Sequence, residues 1–280
     1  MKLVLKSLKQ RVDDALQDEF TANEKLQNAM RYSLISGGKR VRPVLTLLVA
    51  DALGNDLPVM QSALAVEFSH TASLIADDLP SMDNEYERRG KKSLHAKFGE
   101  ATAILASYAL ITAAFGKITD NGKEILRLGL EDAQARTMLS VEIASKASGH
   151  KGATLGQQLD LFEKPDSIES LEKLIYLKSV TLFEVAMCFG WIFGGGDLQK
   201  LEEVKKASFK LGMAFQVRDD IQDYHEDKKR NCASNFAVLV GRKKAIETFE
   251  DSLHSFCAFT AQLGIWGSSF QSLITLLQEF

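Results

Sequence analysis

An all-α fold is predicted by three features of the 280-residue sequence. Apolar residues recur at three- and four-residue spacing over long windows, the period of a buried helix face. No regular series of runs alternates apolar with polar residues, as half-buried strands do. Only four prolines occur, Pro43, Pro58, Pro80 and Pro165.

Helices are expected over 3–20 and 22–36, the second closed by Gly37–Gly38, since glycine ends helices. Pro43 opens the next, over 43–53, because proline suits a first turn. A long helix over 57–79 runs up to Pro80. Helices over 100–117 and 121–148 follow, then shorter ones over 155–162 and 167–177. The segment 178–193 meets Gly194–Gly195–Gly196, and helices over 198–226, 235–263 and 267–278 complete the set. No internal repeat, low-complexity tract or Pro/Gly/Ser-rich linker is present. One helical domain over 1–280 is therefore expected, with long neighbouring helices packed roughly antiparallel. The longest uncharged stretch, 101–116, falls short of the roughly 20 apolar residues of a bilayer span. It is expected to lie in the middle of the bundle, with no transmembrane segment in the chain.

A net charge of -3 gives no global attraction to nucleic acid or an anionic membrane, so any anion site must be a local cluster of Lys and Arg. Cys188, Cys232 and Cys257 are too scattered for a disulfide framework or a zinc site and fit a reducing cytoplasm. Residues 1–17 mix Lys, Arg, Asp and Leu, unlike the apolar core of a signal peptide.

Two aspartate clusters carry the chemistry. Asp77–Asp78–Leu79–Pro80–Ser81–Met82–Asp83 ends one apolar helix, and Asp219–Asp220–Ile221–Gln222–Asp223 lies inside another. Asp219 and Asp223 are i and i+4, so their carboxylates share one helix face. Asp77 and Asp83 do not share a face of a regular helix, but Pro80 loosens or ends the helix and lets Asp83 fold back. Close carboxylates repel unless a cation sits between them, and oxygen-only donors suit Mg²⁺. A solvated acidic helix end is the alternative, but both clusters follow apolar segments, which a surface patch does not need.

Basic residues answer them. Gly37–Gly38–Lys39–Arg40–Val41–Arg42–Pro43 sets cations at a helix start, where backbone N–H groups favour an anion. A solvated charge run is as good a reading of that segment alone. Arg88 and Arg89 follow the first aspartate cluster and suit bidentate phosphate binding. Lys178 and Ser179 stand at a helix start, and His70 precedes Asp77 on an apolar helix, where a structural histidine is the commoner case. Acid and base clusters converging in one helical protein imply a polyanion held through metal ions.

In this order the motifs resemble the trans-isoprenyl diphosphate synthase family, of the farnesyl and geranylgeranyl type, from Gly37 to about Gly241. They run Gly-Gly-Lys-Arg-x-Arg-Pro, the aspartate motif with Arg88–Arg89–Gly90, Gly156–Gln157-x-x-Asp160–Leu161, Lys178–Ser179, and Phe215–Gln216-x-x-Asp219–Asp220-x-x-Asp223. The resemblance implies a helical bundle around a deep cavity and three Mg²⁺ held between the aspartate motifs. It implies ionisation of an allylic diphosphate with help from Arg88 and Lys178, then attack by the double bond of isopentenyl diphosphate. It places the second diphosphate on Lys39, Arg42, His70 and Arg89, sets Gln216 and the backbone near Lys178 against the cation, and implies a homodimer.

Four departures stand out. Ser179 replaces a usual Thr, and Val180 and Leu155 replace usual glycines. The loop after Asp223 is short, with Ala233 where the family has a lysine; Lys228, Lys229 and Arg230 are candidate substitutes. That shortening keeps a weakly catalytic or non-catalytic partner subunit as a rival, although such subunits typically lose an aspartate motif. A class I terpene cyclase is the other rival, but it needs no second diphosphate site. In the family, product length is set four and five residues before Asp77, about 6–7.5 Å deeper along the helix. Here those positions are the small Ser73 and Ala72, which favours a twenty-carbon over a fifteen-carbon product. Tyr108 or Phe115 could instead close the pocket, and the Pro80–Ser81 pair points to shorter products.

Overall fold

The computed structural model describes residues 2–230 and 233–279, so Cys232 lies outside the described residues. The first half of the chain forms α1 (Lys2–Gln17), α2 (Lys25–Leu34), α3 (Val41–Leu53) and α4 (Met60–Asp77), then a two-residue-per-strand hairpin, β1 (Glu87–Arg88) and β2 (Lys91–Lys92). After α5 (Leu94–Phe98) come α6 (Glu100–Arg127), α7 (Ala133–Ser148), α8 (Ala153–Phe162), α9 (Ile168–Ile175), a π-helical turn at Tyr176–Val180 and α10 (Thr181–Phe193). A 3₁₀ turn, Leu198–Lys200, leads into α11 (Leu201–Gln222), followed by α12 (Tyr224–Arg230), α13 (Phe236–Val240), α14 (Arg242–Gln262) and α15 (Ser268–Gln278). The fold is all-α.

Where helix ends differ from expectation, the cause is local. α6 runs straight through 118–120, where no breaker stands, and stops before Gly129, whose φ of 87° lets Leu130 N–H reach back to Ile125 O at 3.1 Å. The segments 167–177 and 178–193 are one helical path, because the π turn carries the chain from α9 into α10. The expected helix over 235–263 divides at Gly241, with φ 85°. The hairpin is unforeseen: Arg89 and Gly90 both take positive φ, the geometry of a tight two-residue turn, and the strands are too short for periodicity to reveal.

The centre of the bundle is α10, not the stretch 101–116. Phe183, Phe189, Trp191 and Phe193 on α10 are buried, and the helix packs against α3, α4, α7 and α11. Gly190 permits the close approach to α3, since a Cβ there would stand 2.4 Å from Thr46 O. Thr46 Oγ1 donates to Ala186 O at 3.0 Å across that contact. α6 instead flanks α4 and turns an apolar stripe outward, with Leu105 56% and Tyr108 65% exposed. Among the described residues two helical stretches, Glu100–Arg127 and Ile168–Phe193, are long and apolar enough to cross a membrane. The apolar part of the second is mostly buried inside the protein, and that of the first is not. Composition alone could not tell a central helix from a flanking one whose apolar face is left uncovered.

Candidate active site

Asp77 closes α4, and Pro80 ends the helix as expected. The chain then doubles back: Asp83 N–H donates to Asp77 O at 2.9 Å and Glu85 N–H to Asp78 O at 3.2 Å. Asp83 is thereby returned beside Asp77. Asp78 points elsewhere. It is buried, and its Oδ1 accepts from Arg88 Nε at 2.9 Å and from an Arg88 terminal nitrogen. Burial pushes the Asp77 carboxyl up to about 6; the charge of Lys178 opposes this and Asp83 adds to it. Asp83 is also raised, by burial first; the charge of Lys178 opposes this and Asp160 adds to it.

In the second cluster Asp223 keeps right-handed helical geometry as the cap of α11, its N–H bonded to Asp219 O at 3.0 Å, so the two carboxylates stay one turn apart on one face. Burial raises the Asp219 carboxyl, while Lys39, Arg218 and Arg42 draw it back. Lys39 and Arg42 therefore look across at the second motif. Asp220 is tied into the protein. It is buried, accepts from Gln216 Nε2 at 2.9 Å and from Phe236 N–H at 2.7 Å, and burial pushes it up to about 6. Asp78 and Asp220, both candidate metal ligands by sequence, thus hold neighbouring groups in place. Among the described residues Asp77, Asp83 and Asp223 have no ion pair, and Asp219 pairs with Arg218 at 3.5 Å.

Lys178 and Ser179 sit in the π turn, a departure from α-helical pairing that often marks functional sites. Gly156 allows α8 against this turn: a Cβ there would stand 2.4 Å from Lys178 N. Ser179 Oγ donates to Gln216 Oε1 at 2.8 Å, which orients the Gln216 amide toward Asp220. Val180, in place of a usual glycine, fits because α11 offers Gly212, whose added Cβ would stand 2.9 Å from Val180 Cγ1. A cleft of about 240 Å³ opens among Asp160, Lys178, Ser179, Gln216, Asp220 and Asp223.

The sequence gives Asp160 and Ser234 no role. In the structure Lys178 pairs with Asp160, and Ser234 Oγ donates to the other Asp160 oxygen at 2.9 Å. Asn235 Nδ2 adds bonds to Asp220 O and to Asp227 Oδ2, each 2.9 Å. The residues following the shortened loop are therefore docked on the cleft. Lys228, Lys229 and Arg230 are exposed, and Lys228 reaches only the Tyr224 hydroxyl at 3.0 Å. The Gly-Gln-x-x-Asp spacing was the one signal that could have pointed to Asp160.

The basic side is built from two turns. Gly37, Gly38 and Arg40 take positive φ before α3, and Arg89 does so in the hairpin. Arg89 donates to Gly37 O, and its guanidinium lies over Gly38, where an added Cβ would be 2.7 Å away. The Arg42 guanidinium stacks 4.5 Å from the Phe183 ring centroid, and its buried Nε has no hydrogen-bond partner among the described residues. Burial brings Arg42 down to about 10, still cationic at neutrality. His70 is held well below the usual imidazole range by burial and by Arg42, Arg89, Arg40 and Arg88, so it is neutral. Arg42 and Arg89 thus both bear on His70, and Lys39 stands three residues before Arg42 in the turn that Arg89 holds.

The two product-length positions part company. Ala72 is fully buried, and its carbonyl accepts from Ser107 Oγ on α6 at 3.0 Å. Ser73 is exposed, one turn before Asp77 on the same face. Of the two, only Ser73 is exposed.

Among the described residues no three Asp, Glu, His or Cys groups converge to hold a metal alone. The donor set still fits Mg²⁺, which usually takes one or two carboxylates and completes its shell with water and phosphate oxygens. The half-buried Asp77 and the more exposed Asp83 both hold protons more tightly than usual and have no ion pair among the described residues, so a cation would satisfy them.

Fold and site together define an all-helical protein of the isoprenoid synthase type. The polyprenyl synthetase family model matches residues 23–232, and the chain belongs to that family. It is 41% identical over 210 residues to geranylgeranyl pyrophosphate synthase 11, chloroplastic, of Arabidopsis thaliana, spanning 73% of this chain and 57% of that protein. It is 41% identical over 226 residues to a farnesyl diphosphate synthase of Geobacillus stearothermophilus, covering 78% and 74%. Its structure matches an FPP/GFPP synthase from Zymomonas mobilis with TM-score 0.84 at 27% identity, covering 99% of this chain and 97% of that one. A geranyltransferase from Legionella pneumophila matches with TM-score 0.82 at 29% identity, over 99% and 95%. The match spans little more than half the length of several curated plant relatives.

Proposed function

We propose that this chain, acting as one helical domain, is a Mg²⁺-dependent, chain-elongating prenyltransferase that joins isopentenyl diphosphate to an allylic diphosphate. One observation carries the reading: the half-buried Asp77 and Asp219 carboxylates are both raised by burial, and the charges of Lys39 and Arg42 bear on Asp219, so acidic and basic motifs face each other. A cyclase needs only one diphosphate site.

Asp77 and Asp83 on one side, and Asp219 and Asp223 on the other, would hold Mg²⁺, three ions by family resemblance. Bound Mg²⁺ neutralises charge developing on a leaving diphosphate. Arg88, fixed by Asp78, and Lys178 add positive charge to that same diphosphate. As the C–O bond breaks, Gln216, locked by Ser179 and Asp220, and the π-turn backbone face the allylic cation. The double bond of isopentenyl diphosphate, positioned by Lys39, Arg42 and Arg89, attacks it, and the released diphosphate takes the proton lost. Ser73 leaves room for a longer chain, which supports a twenty-carbon product.

The outward stripe of α6, with Ile104, Leu105, Tyr108 and Ile111, and exposed Met138 on α7 support a homodimer across this face rather than a bilayer crossing. The scattered cysteines support a cytoplasmic setting.

The test is a split in kinetics. Asp77→Ala and Asp219→Ala should lower kcat by orders of magnitude with little change in primer binding. Arg89→Ala and Lys39→Ala should mainly raise KM for isopentenyl diphosphate. Near wild-type turnover in either aspartate variant would refute the proposal.

A further inference from the structure

Behind the cationic pocket lies a buried ion pair that the proposed chemistry does not use. The side chains of Arg40 and Glu67 are 2% and 1% exposed. Arg40 is anchored on three elements. Its Nε donates to Asp13 Oδ1 on α1 at 2.9 Å, one terminal nitrogen pairs with Glu67 on α4, and the other donates to Leu34 O at the end of α2 at 2.5 Å. Its backbone is left-handed, φ 52° and ψ 30°. A residue with a Cβ keeps that conformation only where its surroundings enforce it. Lys39 directly precedes Arg40, Arg42 lies two residues on, and Gly37 O accepts from Arg89. The Glu67 carboxyl is raised by its burial, and Arg40, Arg89 and Arg42 all draw it toward the ionised form.

We infer that Arg40 and Glu67 are positioning residues for the second diphosphate pocket. The pair clamps residues 37–42 in the left-handed turn that presents Lys39 and Arg42, and Glu67 holds Arg42 and Arg89 in alignment while no anion is bound. The inference rests on the reading of this pocket as the isopentenyl diphosphate site.

Electrostatics makes it testable, because the two possible roles of Glu67 differ in sign. A negative charge beside an anion pocket weakens anion binding through the field alone. If Glu67 were only a buried charge, Glu67→Gln would lower KM for isopentenyl diphosphate. If it positions the pocket, the same change raises KM, although it removes a repulsive charge. A purely stabilising role would move the unfolding midpoint and leave both KM values where they were.

The experiment is steady-state kinetics on the full chain with Mg²⁺. Isopentenyl diphosphate is varied at saturating geranyl diphosphate and then the reverse, beside urea unfolding of each variant. Glu67→Gln is expected to raise KM for isopentenyl diphosphate roughly tenfold or more, as misplaced binding groups do. KM for geranyl diphosphate and kcat should stay within about twofold. Glu67→Asp, which keeps the charge, should recover part of the loss. Where Glu67→Gln does not fold, Asp13→Asn carries the test. It removes the charge that holds the Nε anchor, with a pair to Lys9 on the same helix, at a part-exposed carboxylate, and should raise the same KM by a smaller factor. An unchanged or lowered KM for isopentenyl diphosphate in a folded variant overturns the inference. Wild-type protein that makes no product from these substrates overturns the functional reading, and the inference with it.

Discussion

Replacing Asp77 with Asn should stabilise the metal-free protein while abolishing turnover. Among the described residues no hydrogen bond or ion pair reaches the Asp77 carboxylate, the charges of Lys178 and Arg88 only partly offset its burial, and it is raised from 3.8 to about 6. A carboxyl with a raised folded pKa holds its proton more tightly when folded, so ionising it costs stability. The cost is absent below about pH 4, grows as pH rises toward 6, and is complete above that. Taken as about two pKa units, it amounts to ~3 kcal/mol at about 1.4 kcal/mol per unit. Asn has nearly the same shape and does not ionise. In EDTA, urea unfolding should therefore place Asp77→Asn ~3 kcal/mol above wild type at pH 8, and the gap should narrow to about half by pH 5. Adding Mg²⁺ with pyrophosphate should stabilise wild type far more than the variant, because only wild type keeps the full carboxylate set. A variant that is no more stable than wild type in EDTA, or a gap independent of pH, would refute the assignment of Asp77 as an uncompensated ligand.

Other substitutions test the packing that frames the site. Gly156→Ala would drive a Cβ into the backbone of Lys178, which is not the end of a flexible side chain, and should cost ~1–3 kcal/mol in urea unfolding and lower kcat. Ser73→Phe should shorten the main product by one five-carbon unit, read by chromatography of the dephosphorylated products. Ala72→Phe should instead destabilise the fold, because Ala72 is closed against α6; a folded Ala72→Phe with shortened product would reverse this assignment. If the proposed homodimer forms across α6, wild type should scatter as a dimer and Tyr108→Glu as a monomer; an unaltered mass would move the interface elsewhere.

How far these features are legible in the sequence depends on their range. Asp219 and Asp223 share a face because of helical period, and Asp83 returns to Asp77 because Pro80 ends a helix; both are local rules. The roles of Asp78 and Asp220 were not legible. Their sequence setting matches that of the open aspartates, and only the fold brings Arg88 to one and Phe236 N–H to the other. Asp160 stands in a motif the sequence shows, but its role is not legible there for the same reason, since its partners lie 18 and 74 residues away. The sequence places the 101–116 helix at the centre because composition reports that a face is apolar without reporting what covers it. The hairpin holding Arg89 is shorter than any period that could announce it.

The central claim is that two acidic pairs and one cationic pocket serve two diphosphates in a single elongation. It is tested most directly by incubating the purified chain with Mg²⁺, radiolabelled isopentenyl diphosphate and dimethylallyl, geranyl or farnesyl diphosphate, and separating the dephosphorylated alcohols by length. The account predicts label in linear fifteen- to twenty-carbon alcohols, dependent on both substrates and abolished by EDTA. Consumption of the allylic diphosphate to cyclic or hydrolysed products, with no label incorporated, would contradict it.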